Sequence, residues 1–231
     1  MSLTAAEWAV IGLSLRVSLV ATALILPPSW VIAWLLARRR FPGRALLDAA
    51  VHLPLVLPPV VTGWLLLLLF GRAGPVGGWL EAQFGITLVF RWTGAVLAAG
   101  IMALPLTVRA MRLSIEAVDR RLVEAAQTLG ASRVRALLTI TLPLSTSGIA
   151  AGATLGFARS LGEFGATITF ASNIAGETRT LPLAIYTGLQ LPGGEGGVAR
   201  LAIVSILLSL GALVLSEWLV RRAGEGRAHA L

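Results

Sequence analysis

Cysteine and lysine are both missing from these 231 residues, and only 13% of the chain is charged. Without a thiol there is no disulfide scaffold, no thiolate metal site and no nucleophilic cysteine. Without lysine the chain cannot carry the G-x-x-x-x-G-K-[ST] loop whose Lys reaches nucleotide phosphates. The two histidines, His52 and His229, lie far apart and build neither a metal cluster nor a catalytic triad. No metal, cofactor or enzymatic centre is therefore expected. The apolar segments offer only Glu163 with Arg159 where an enzyme would need facing carboxylates, His or Cys. The N-terminus also lacks a positive leader and a small-residue cleavage pattern, so the first apolar segment is expected to be retained.

What is present in abundance is apolar: 56% of residues are hydrophobic and the mean hydropathy is +0.84. That fits an integral membrane protein in contact with lipid. All 19 basic residues are Arg, and they gather at the ends of apolar runs, which is the pattern of membrane topology. A phosphate-tracking surface would spread them along one face, so no nucleic-acid partner is expected. A bilayer core of ~30 Å needs about 20 apolar residues per helix. Five segments qualify, at 11–37, 46–70, 92–113, 144–171 and 198–220, all within one transmembrane domain, 1–231. Pro27 and Pro28 should kink or break the first. Pro54, Pro58 and Pro59 make the second discontinuous, a break tolerated at membrane depth only where protein or a water-filled cavity satisfies the backbone. Residues 180–190 are too short to span and read as a helix at the outer face, followed by a flexible Gly-rich connection over 192–197. Trp8, Trp79, Trp92 and Trp218 fall near segment boundaries, as an interfacial belt would.

Arg placement sets the orientation. Arg38, Arg39, Arg40 and Arg44 follow the first segment. Arg109, Arg112, Arg120, Arg121, Arg133 and Arg135 cluster around the loop between the third and fourth, and Arg221, Arg222 and Arg227 follow the fifth. The opposite side has Arg72, Arg91, Arg179 and Arg200. The Arg-rich side is expected to be cytoplasmic, with the N-terminus outside and the C-terminus inside.

The loop over 114–143 holds EAAQTLGASRVRALLTITLP, which reads as a helix–turn–helix. Asp119 caps the first helix, Gly130 takes the left-handed position after Leu129, and Ser132 caps the second, which Pro143 cannot extend without a kink. The spacing of Glu124-Ala125-Ala126, Gly130 and Ile140 to Pro143 resembles the cytoplasmic coupling loop of binding-protein-dependent ABC importer permeases. The resemblance implies an all-α polytopic bundle of the type I importer kind in a bacterial inner membrane. It also implies an ATPase partner that binds the ATP, an external binding protein, and a second copy of the chain about a two-fold axis. Glu124, Ala125, Ala126, Gly130 and Pro143 are the expected coupling residues.

Three stretches carry the likeness further: Phe41 to Gly63, Phe157 to Thr187, and Gly193 to Leu201 are similar to molybdate permeases of that family. Periplasmic or external molybdate-binding protein is then the implied partner. Sulfate and thiosulfate permeases share much of the LGEFGAT segment, and no residue separates molybdate from tungstate. Arg159 and Glu163, four apart in the fourth segment, read either as a face of the translocation path or as a packing ion pair. Pro58 and Pro59 read as a gate or as a plain kink. Gly156, Gly162 and Gly165 permit close helix approach. Arg16 is expected to snorkel to the outer interface, and Glu217 with Arg221 to form a solvated pair.

Overall fold

The structure, a computed structural model, describes residues 3–228, with the backbone alone for 216, 217 and 219–228. His229 lies outside the described residues, and so do the side chains of the expected Glu217–Arg221 pair. Helix α1 (Ala5–Arg38) opens with a reciprocal cap: Thr4 Oγ1 accepts from the Glu7 N–H at 3.2 Å, and Glu7 Oε2 accepts from the Thr4 N–H at 2.7 Å. Its 34 residues rise about 50 Å, more than a hydrocarbon core. The helix runs through Pro27 and Pro28 without the break that was one of the two expected outcomes. Proline frees carbonyls there, and neighbouring helices pack along α1, with Ala33 and Leu36 fully buried just beyond.

Helices α2 (Arg44–Val56) and α3 (Pro59–Phe70) meet at a 118° turn, so the second apolar segment is discontinuous. Pro58 caps α3 and Pro59 is its first residue, where a missing N–H costs nothing. A further helix, α4 (Pro75–Phe84), has no counterpart in the apolar pattern. Pro75 starts it and Gly85, at φ 65, ends it in the left-handed region.

Helix α5 (Trp92–Glu116) is the centre of the bundle. Ala95, Ala98, Ala99 and Ala103 are essentially inaccessible, and their small side chains let α1 and a later helix approach closely. The chain then makes α6 (Arg120–Thr128), α7 (Arg133–Ala136), a π turn (Leu137–Thr141) and α8 (Leu142–Leu144) before entering α9 (Thr146–Leu161). Gly156 of α9 lies so near α5 that a Cβ there would sit 2.8 Å from Thr107 Oγ1.

The fourth apolar segment departs from a single helix over 144–171. After α9 the chain breaks at Gly162, Glu163 and Phe164 and resumes as α10 (Gly165–Phe170). The Glu163 carboxylate accepts from the Ala166 N–H at 2.8 Å, satisfying a donor of the new helix. Helix α11 (Leu181–Leu189) is the short element expected over 180–190, and α12 (Glu195–Ala228) is the last. It begins inside the Gly-rich stretch, so Gly196 and Gly197 are helical rather than a flexible connection. Three described helices are long and apolar enough to cross a bilayer, and five crossings result if each bent pair is one. The second pair, Arg133–Leu144 with Thr146–Leu161, bends by 64°.

Candidate functional site

At one end of the bundle the tips of α1 and α5 are stitched together. Arg38 Nη2 donates to the carbonyls of Ile115 at 2.6 Å and Val118 at 2.5 Å, at and just past the end of α5. Arg112 Nε donates to Glu116 at 2.9 Å, and its Nη1 reaches Asp48 of α2 at 3.3 Å. Trp30 Nε1 donates to Ser145 Oγ at 3.3 Å, tying α1 to the bend before α9. Only the Arg112–Glu116 pair could be seen in the sequence, as an i, i+4 spacing. The other contacts join positions 64 to 115 residues apart and leave no local signal.

On this platform sits the helix–turn–helix. Asp119 Oδ1 accepts from the Arg121 N–H at 2.9 Å and Ser132 Oγ from the Arg135 N–H at 3.2 Å. Gly130 takes φ 90, and the turn closes with Ala131 N–H to Ala126 O at 2.9 Å and Gly130 N–H to Gln127 O at 3.0 Å. No residue of α6 is buried. Glu124 and Ala125 are exposed and Ala126 is half-buried. Around them Leu122, Val134 and Leu138 are open, and Leu129 is 89% exposed. An apolar set held outward on a capped, hydrogen-bonded turn is suited to a partner groove. Pro143 is exposed within α8, just past the π turn that carries the helix toward its bend at Ser145.

The second set of candidates lies about 20 Å further along α9, counting residues from its start. Arg159 Nη1 and Glu163 Oε2 pair at 2.6 Å, with the carboxylate 2% exposed and the guanidinium side chain 25% exposed. Although Glu163 lies beyond the end of α9, the pair forms. The break also brings in α3: a Cβ on Gly165 would stand 2.6 Å from Pro59 Cβ. The break at Pro58–Pro59 and the break at Gly162–Phe164 therefore adjoin, with Pro58 itself exposed. The coupling candidates belong to the Arg38 end and are not part of this group.

The opposite end has its own polar lattice. Glu7 meets Arg200 of α12 at 2.8 Å, Ser14 Oγ accepts from the buried Leu181 N–H at 2.7 Å, and Glu177 Oε1 accepts from the Trp92 N–H at 3.2 Å. Arg16 is exposed and turns toward the start of α5. Its guanidinium lies 3.8 Å from the centre of the Trp92 ring, a cation–π contact that sequence spacing between distant helices cannot reveal.

Comparison with known proteins matches residues 29–225 to the family described as binding-protein-dependent transport system inner membrane component. The chain is 59% identical over 225 residues to the molybdenum transport system permease protein ModB of Escherichia coli (strain K12), covering 97% of this chain and 98% of that protein. It is 40% identical over 185 residues to the sulfate transport system permease protein CysT of the same organism, covering 80% of this chain and 65% of that one. Among solved structures, the inward-facing MetNI methionine ABC transporter superposes with a TM-score of 0.69 at 13% identity, over 94% of each chain. At that identity the likeness is one of fold.

Proposed function

The chain belongs to the family of binding-protein-dependent transport system inner membrane components, and from that premise we propose that it is the permease subunit of an ABC importer for molybdate. The observation that carries the substrate is the gap between 59% identity to a molybdenum permease at full length and 40% to a sulfate permease over a shorter stretch. Both anions are tetrahedral and doubly charged, so discrimination must come from size and hydrogen-bond geometry rather than charge. Tungstate shares the geometry of molybdate and belongs to the same reading.

Energy enters from outside the chain. An ATPase subunit binds and hydrolyses ATP, and the α6–α8 segment seats in it through Glu124, Ala125, Ala126 and the bend at Gly130, with Pro143 at the exit. The stitched tips of α1 and α5 give that segment a stiff base, so movement of the ATPase is passed to α9 rather than lost in a loose loop. The Arg-rich end faces the cytoplasm, the N-terminus faces outward and the C-terminus inward. A molybdate-binding protein delivers the anion at the other end, and two copies of the chain enclose the path. Arg159, Glu163, Pro58 and Pro59 line or gate it, since buried ionisable groups in a membrane bundle mark solute routes.

The test is genetic. In cells stripped of their own molybdate and sulfate importers, the chain made with its ATPase and binding protein is expected to restore a molybdenum enzyme at trace molybdate. Sulfate-dependent growth should stay absent. Restored growth on sulfate without the molybdenum enzyme would overturn the substrate assignment.

A further inference from the structure

A cleft of about 240 Å³ opens between the end of α1 and the α6–α7 segment. Its wall includes Arg38, Arg39, Arg120 and Arg133 from both sides, with Trp34 and a single carboxylate, Glu124. Four arginines share the wall with one carboxylate, and although Glu116 and Asp119 also act on Arg38, the positive balance favours an anion. Arg38 itself is held by the protein. Its Nη2 is spent on two backbone carbonyls, yet its Nε is buried and has no partner among the described residues. That N–H is closed off from the cleft, so an anion there meets the exposed side chains of Arg39, Arg120 and Arg133, with Arg38 adding its charge from the wall.

We propose that this cleft is a binding site for the phosphate of an anionic phospholipid. The location favours a lipid over a soluble ion: Arg38 is the last residue of a bilayer-length helix, and Arg39 stands 5.1 Å from the ring of Trp34, one turn inside it. Trp beside Arg at a helix end is the usual furniture of the headgroup layer, and basic pockets between spans on the cytoplasmic side hold anionic headgroups. Guanidinium forks match phosphate oxygens two at a time. The cleft is large enough for a phosphate and its glycerol. Because one wall is α1 and the other is α6–α7, the bound phosphate ties the coupling segment to the first span.

The experiment measures lipid retention by native mass spectrometry on the complete transporter, extracted from mixed phosphatidylglycerol and phosphatidylcholine vesicles. Phosphatidylglycerol is expected to stay bound in preference to phosphatidylcholine. The double substitution Arg39→Gln with Arg133→Gln should lower that preference about tenfold. Arg72→Gln, whose side chain is 76% exposed near α4, should leave it unchanged. The pair Arg39→Lys with Arg133→Lys guards against misfolding, since it keeps the charge and should retain part of the preference. Equal retention of both lipids, or a preference untouched by the Gln pair, would overturn the proposal. Displacement of phosphatidylglycerol by millimolar inorganic phosphate would overturn the lipid assignment in favour of a soluble oxyanion.

Discussion

Gly130→Val is expected to cut ATP-driven uptake by about tenfold or more, while the purified transporter keeps nearly its normal heat stability. Gly130 holds φ 90 with nothing within 4 Å of where a Cβ would stand, so the cost is conformational and not a clash. A β-branched residue in the left-handed region loses about 1–2 kcal/mol or more, and the turn escapes by changing the angle between α6 and α7. Since α6 buries nothing, the bundle itself should hardly notice. Gly130→Asn provides the contrast, because Asn tolerates left-handed backbone and should keep most of the uptake. Uptake by the Val variant at the normal rate would mean that the geometry of this turn is not what passes force from the ATPase.

Glu163→Ala should strongly destabilise the α9–α10 region. It leaves Arg159 without the partner it meets at 2.6 Å and removes the acceptor of the Ala166 N–H. Breaking a buried pair costs about 3–5 kcal/mol, and the quarter exposure of Arg159 puts this one near the lower end. Glu163→Gln keeps an oxygen for Ala166 and loses only the charge, so it should recover part of the loss. The pair also separates two roles through Arg159→Gln. If the guanidinium meets the anion, uptake falls much further than heat stability; if it only fixes packing, the two fall together. Thermal denaturation in detergent beside uptake by the same preparation gives the comparison. Full heat stability in Glu163→Ala would contradict the buried-pair account.

Local chemistry made part of this molecule readable in advance. Asp119, Gly130 and Ser132 are a cap, a left-handed position and a second cap because each needs only its own neighbours along the chain, and the structure has them so. The discontinuity at Pro58–Pro59 was legible for the same reason. Pro27 and Pro28 do not break α1, because whether prolines interrupt a helix depends on the packing around it and not on the prolines alone. The break at Gly162–Phe164 was hidden for the opposite reason: no proline marks it, and Glu163 starts the new helix by a bond to Ala166 that an i, i+4 pairing argument does not consider. Arg38, Asp48, Ser14 and Glu177 act on residues far along the chain, where one sequence carries no distance information. The likeness of motifs supplied what physics could not, namely the family and the oxyanion.

The most direct measurement is uptake of molybdate into proteoliposomes holding this chain with its ATPase, with the binding protein and sulfate in excess outside and ATP within. The account predicts ATP-dependent accumulation that resists sulfate and disappears when either the ATPase or the binding protein is left out. Accumulation that proceeds without ATP, or sulfate carried as readily as molybdate, would contradict it.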